Sequence, residues 1–155
     1  MVSKEEQENK LALIPKSERY IEYMLDIMIK LPRTEKFSIG TEYKTSMYKM
    51  LEQIMLLNKM KNLNKIKIKN INTEKINQNE TGNLEYYEYL EKIIQILNKI
   101  DAYLNTQRIY LRIMKKYKWI DEKRFKIAME LIYEIGKILG GLIKYYAKNN
   151  KKSVL

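Results

Sequence analysis

The 155-residue sequence contains no cysteine and no histidine. The first absence excludes a disulfide framework and thiol chemistry, and the second removes the commonest metal ligand and general base. The usual zinc sites are excluded with them. Nowhere do about eighteen apolar residues run together, so no membrane-spanning helix is expected. The opening residues, MVSKEEQENK, are charged and lack an apolar core; no secretory signal is expected, and the chain is placed in the cytoplasm. A glycine-rich phosphate loop is also missing. Chemistry would then need paired carboxylates, a lysine nucleophile or a bound metal, yet Glu85, Glu88 and Glu91 are spaced as a solvated helix face. The expectation is a protein that is not an enzyme and carries no cofactor and no metal.

What is present is ordinary globular chemistry with a basic excess. Hydrophobic residues make up 45% and charged residues 32%, enough for one domain with a real core. Thirty Lys and Arg against nineteen Asp and Glu give a formal charge of +11, the electrostatic footprint of a polyanion binder. A genome rich in A and T would enrich Lys, Asn, Ile and Tyr whatever the protein does, so distribution says more than composition. The charge is about −1 over residues 1–31, about +3 over 32–61, and about +4 over each of 86–118 and 119–155. The excess sits in the later part of the chain.

The apolar spacing predicts four helices. The first, about 15–31, places Ile21, Met24, Met28 and Leu31 on one face and is stopped by Pro32. The second, about 39–61, has Ser38 as its candidate N-cap and turns Tyr43, Met47, Met50, Ile54 and Leu57 inward. Residues 62–83 are dense in asparagine, alternate as KIKIK and end in Thr-Gly-Asn, which predicts a mobile linker or a basic arm that orders on nucleic acid. The third helix, about 84–118, carries Leu90, Leu97, Leu104 and Leu111 seven apart, with Ile93, Ile100 and Met114 beside them. A second series, Ile96, Tyr103, Tyr110 and Tyr117, also recurs every seven residues. It predicts either a neighbour on the other side of this helix, such as another subunit, or the edge of a broad core face.

The fourth helix, about 122–148, opens after KWID with Asp121 as N-cap and the hydrophobic-staple spacing of Ile120 and Phe125. Phe125, Met129, Ile132, Ile135, Leu139 and Leu142 form its inward face, and Leu131, Ile138 and Tyr145 a second stripe. The short connection forces the last two helices antiparallel. Within EIGKILGGLIKYY, Gly136, Gly140 and Gly141 each cost roughly 1 kcal/mol relative to alanine in a helix. Gly136 and Gly140 share a face, so a close approach of a partner helix or subunit is the expected compensation. The fold class expected is all-α, an antiparallel four-helix bundle.

Two segments carry a resemblance: LPRTEKFSIG at residues 31–40, and LIYEIGKILGGLIKYY at 131–146, with NTQRIYLRIMKKYKWIDEKRF between them. Together they resemble the four-helix-bundle family of accessory variability determinants (Avd) of diversity-generating retroelements, whose relatives include proteins encoded in ribosomal RNA intervening sequences. The likeness spans residues 14–148. It implies a homopentameric basic barrel that associates with a reverse transcriptase and with RNA or DNA in mutagenic retrohoming; the relatives share the fold without that role. In this family a basic residue commonly stands two positions after the glycine of the F-x-x-G turn, whereas Gly40 is followed here by Thr41 and Glu42. The linker at 62–83 is also longer than the family's usual connection.

Within the matching segment, Arg108 and Arg112 are one turn apart. With Lys115, Lys116 and Lys118 they make a basic end to the third helix, and Lys123 and Arg124 follow at the start of the fourth. Arginine binds phosphate in bidentate fashion and stacks on bases, so this cluster is the expected nucleic-acid site, one that holds a backbone without reading sequence. Alternatively, cations here complement the helix macrodipole. Gly136, Gly140, Gly141, Tyr103 and Tyr110 are the residues expected at helix packing or a subunit interface.

Overall fold

In a computed structural model, the backbone is described for residues 4–71 and 80–151 and side chains for 12–64 and 84–150. Among the described residues there are four long helices and one short one: α1 (Lys4–Ile29), α2 (Arg33–Lys36), α3 (Ile39–Ile71), α4 (Glu80–Lys116) and α5 (Glu122–Lys151). Among the described residues there is no strand. α3 packs on α4, α4 on α5, α5 on α1 and α1 on α3, so the long helices close a four-membered ring. The directions follow from side-chain pairs. Tyr43 meets Tyr110, and Ser46 bonds the Tyr103 carbonyl; α3 and α4 are therefore antiparallel. Lys16 pairs with Glu134 at 3.0 Å and ties the middle of α1 to the middle of α5.

The inward faces expected from spacing are the core. Met24, Met28, Leu31, Tyr43, Met47, Met50, Ile54 and Leu57 are buried, as are the α4 leucines at 90, 97, 104 and 111 and the α5 residues Ile132, Ile135, Leu139 and Leu142. Phe125 and Met129 lie half-buried at its edge. Of the second α4 series, Ile96 is buried, Tyr103 and Tyr110 are half-buried with the Tyr110 ring 6.1 Å from that of Tyr43 on α3, and Tyr117 lies past the end of the helix and is exposed. Within the chain, Tyr103 and Tyr110 edge a broad core face.

Three boundaries differ from the sequence reading. α1 begins at Lys4, eleven residues before the expected start, with Pro15 inside it. Leu13 is already in the core, and that burial offsets the N–H that Pro15 withholds. α3 runs through KIKIK to Ile71, and α4 starts at Glu80 with Thr-Gly-Asn inside it. Extending an existing helix adds one hydrogen bond per residue fixed, so weak formers are carried along once nucleation is complete. Helix therefore occupies residues 62–71 and 80–83 of the expected linker, and 72–79 lie outside the described residues. Finally, Ser38 stands at the α3 N-cap position, but its hydroxyl donates backward to Glu35 Oε2 at 2.9 Å. It is turned toward α2 instead of bonding the first N–H groups of α3.

Across the middle of the bundle runs a buried polar chain that hydrophobic periodicity does not reveal. Tyr20 donates to Gln107 Oε1 at 2.7 Å, which leaves its oxygen to accept from Tyr43 at 2.5 Å. Gln107 Nε2 donates to Ser46 Oγ at 3.1 Å, and Ser46 donates to the Tyr103 carbonyl at 3.3 Å. Every link satisfies a group that would otherwise be stranded in an apolar interior. Burial pushes the hydroxyls of Tyr20 and Tyr43 well above the ordinary tyrosine value of 10.0. One turn before Tyr20, the buried Ser17 hydroxyl has no hydrogen-bond partner.

Candidate nucleic-acid interface

The corner between α4 and α5 is built by local chemistry. α4 ends with Lys118 in the left-handed region at φ 59°. The Trp119 N–H bonds the Met114 carbonyl at 2.9 Å, and the Lys118 N–H bonds that of Lys115 at 3.0 Å. This is the paired closure of a Schellman motif, with lysine where glycine is usual. α5 is then capped by Asp121, whose Oδ1 accepts the Arg124 N–H at 2.7 Å, and Ile120 is buried against the core. The expected N-cap is in place.

This corner sorts the expected basic residues into two groups. Lys115 bridges α4 and α5: it meets Glu122 Oε2 at 3.0 Å and lies 4.4 Å from the centroid of the Phe125 ring. Arg124 pairs with Asp121 at 3.3 Å. Arg108 is half-buried, hydrogen-bonds Asn105, and lies against Gly136, where a Cβ would stand 2.6 Å from its Nη2. These three are engaged within the bundle. Arg112, Lys116, Lys118 and Lys123 are exposed and make no ion pair among the described residues. The turn also stacks two rings, Tyr117 and Trp119, with centroids 5.1 Å apart and planes within 18°. The alternation KKYKW was the signal for this pair. Burial raises the Tyr23 hydroxyl on α1, with the Arg124 charge opposing it, which places α1 beside the same corner.

The glycines divide in the same way. Gly136 gives room to the Arg108 guanidinium. A Cβ on Gly40 would sit 3.1 Å from the Glu35 carbonyl oxygen and 3.3 Å from Leu31, so glycine there lets the α2 backbone cross close to α3. Gly140 and Gly141 have nothing within 4 Å of an added Cβ. Of the pair Gly136 and Gly140 expected to admit a close partner, only Gly136 is crowded, by the Arg108 side chain; at Gly140 and Gly141, flanked by the buried Leu139 and Leu142, no close approach occurs within the chain.

Two apolar surfaces face outward. On α3, Tyr48, Met55, Leu56 and Leu63 share the face opposite the core, and on α4 Ile109 and Ile113 do the same. Among the described residues no group of three or more His, Cys, Asp or Glu could hold a metal, and no helix is long and apolar enough to cross a membrane. Comparison with known proteins finds no matching family model, no matching curated protein and no matching solved structure.

Proposed function

We propose that this chain is a non-catalytic, nucleic-acid-binding accessory protein of the Avd type, a basic helical bundle that assembles with copies of itself. In this reading it acts in the cytoplasm with a retroelement reverse transcriptase and its template RNA during mutagenic retrohoming. The observation that carries the binding part is the set of four exposed cations at the α4–α5 corner, Arg112, Lys116, Lys118 and Lys123. Their neighbours Lys115 and Arg124 are neutralised by Glu122 and Asp121, whereas these four keep their charge for a partner. Exposed cations of this kind hold phosphates through counterion release and carry no sequence information. The retroelement part rests on the likeness of residues 31–40, 105–125 and 131–146 to that family. The outward stripes on α3 and α4 support self-association.

Fluorescence anisotropy of labelled single-stranded RNA and duplex DNA across a salt series tests this, with the native mass taken on the same sample. Tight binding that weakens steeply with salt is expected. Arg112→Ala with Lys116→Ala is expected to reduce the slope of log K against log salt by roughly 1.5. Absence of binding at low salt overturns the proposal. A second reading, a helical protein-interaction module like the ribosomal intervening-sequence relatives, is favoured by the α3 stripe of Tyr48, Met55, Leu56 and Leu63. Its association would persist at high salt, since apolar contacts are not screened.

A further inference from the structure

Two turns meet at one end of the bundle. Since α3 and α4 are antiparallel, the α2 turn that precedes α3 lies at the end where α4 closes into α5. Exposed Arg33 and half-buried Lys36 on α2 therefore lie at the same end of the bundle as the exposed cations of the α4–α5 corner. The same end exposes aromatic rings. Tyr117 is 63% exposed while one face of its ring is stacked on Trp119, and Phe37, just after α2, is 77% exposed. A large ring held open to water, stacked on a second ring and flanked in the chain by the exposed Lys116 and Lys118, has the attributes of a base-stacking platform. Phosphates are held by point charges and every base presents a π-face, so such a surface takes a nucleic acid without reading its sequence. A duplex keeps its bases stacked on one another and offers this ring none.

We infer that the α4–α5 corner binds single-stranded nucleic acid, with an unpaired base stacked on Tyr117 and the flanking phosphates held by Arg112, Lys116, Lys118 and Lys123. The inference rests on the nucleic-acid-binding reading above and adds the strandedness of the ligand and the ring that selects it. Tyr117 contributes contact with the base, and the cations contribute the charge, so the two are separable by substitution.

The test uses the full chain with three probes of equal charge: a uridine oligonucleotide, the same backbone without bases, and a short DNA duplex. Trp119 is the only tryptophan, so its emission reports directly on the ring pair. The wild type is expected to prefer the uridine oligonucleotide over the abasic one by about ten-fold or more, with a change in Trp119 emission. Tyr117→Ala is expected to abolish that preference while leaving the salt slope unchanged, and Tyr117→Phe, which keeps the ring, to retain it. Lys116→Ala is expected to weaken all three probes alike and lower the slope by roughly 0.7–0.9. Equal affinity for the uridine and abasic probes, or a Tyr117→Ala variant that still discriminates, overturns the stacking inference and leaves polyanion binding standing. Failure to bind any probe at low salt overturns both. Circular dichroism of Tyr117→Ala should match the wild type, since the side chain is mostly in water.

Discussion

The polar chain through the middle of the bundle and the corner between α4 and α5 are both made of hydrogen bonds, but they are specified at different ranges. At the corner each partner lies within a few residues of the other: Asp121 caps Arg124, Trp119 closes on Met114, and Lys115 reaches Glu122. In the interior the partners lie far apart along the chain, with Tyr20 and Gln107 87 residues apart and Ser46 and Gln107 61 apart. The corner would hold its shape in any bundle that reached it. The chain exists only if three helices arrive in one register, because a slip of one residue on any of them leaves a buried donor or acceptor unpaired. The interior network thus fixes how the helices sit, while the corner fixes what they present to solvent.

The largest expected effect comes from breaking the long-range half. Gln107→Ala removes a fully buried side chain and takes one hydrogen bond from each of Tyr20 and Ser46, and is expected to cost about 2–4 kcal/mol in a denaturant titration. A loss below about 1 kcal/mol would mean that water or a rotated neighbour takes over its bonds. Tyr20→Phe, which deletes the hydroxyl and with it the bonds to Gln107 and Tyr43 without leaving a large cavity, is expected to cost about 1–2 kcal/mol at neutral pH.

The same tyrosine gives the comparison a pH signature. A hydroxyl whose folded pKa lies above its unfolded value stabilises the fold fully below the unfolded value of about 10, and that contribution is lost as pH rises beyond it. Stability should therefore fall on the alkaline side of pH 10, because the unfolded chain releases those protons first. Tyr20→Phe should make the fall shallower when thermal unfolding is followed across that range.

Changes at the corner should be smaller. Asp121→Ala removes one cap and one weak, exposed ion pair, and is expected to cost about 1 kcal/mol, read as a modest fall in Tm. Lys118→Gly relieves a left-handed lysine and should change stability by less than about 1 kcal/mol, in the stabilising direction. If Asp121→Ala proved as damaging as Gln107→Ala, the separation between a local corner and a long-range interior would collapse.

Much of the bundle is legible from apolar spacing. The leucines at 90, 97, 104 and 111 and the methionines at 24, 28, 47 and 50 show their faces directly, since burial of one stripe is what a 3.6-residue period encodes. Asp121 and Ile120 likewise announce the start of α5. Helix length was less legible at the start of α1 and at both ends of the α3–α4 connection. Pro15, KIKIK and Thr-Gly-Asn all argue locally for stopping, and cooperative extension of packed helices overrides them. At the candidate site, spacing grouped seven cations near the α4–α5 corner, yet Arg108 looked equivalent to Arg112 because one turn separates them. Only the neighbouring helix distinguishes them, by offering Gly136 to the first and nothing to the second.

By itself, then, the sequence determined the helical class, the inward faces, the turn chemistry of the α4–α5 corner and the positive balance of the later helices. Each depends on residues within about one or two helical turns of one another, so a linear string contains the whole cause. The tertiary structure decided which polar groups meet inside, which glycines are crowded and which cations stay free. Those outcomes depend on pairs such as Tyr20 with Gln107 and Gly136 with Arg108, whose distance in space is set only when four helices pack together.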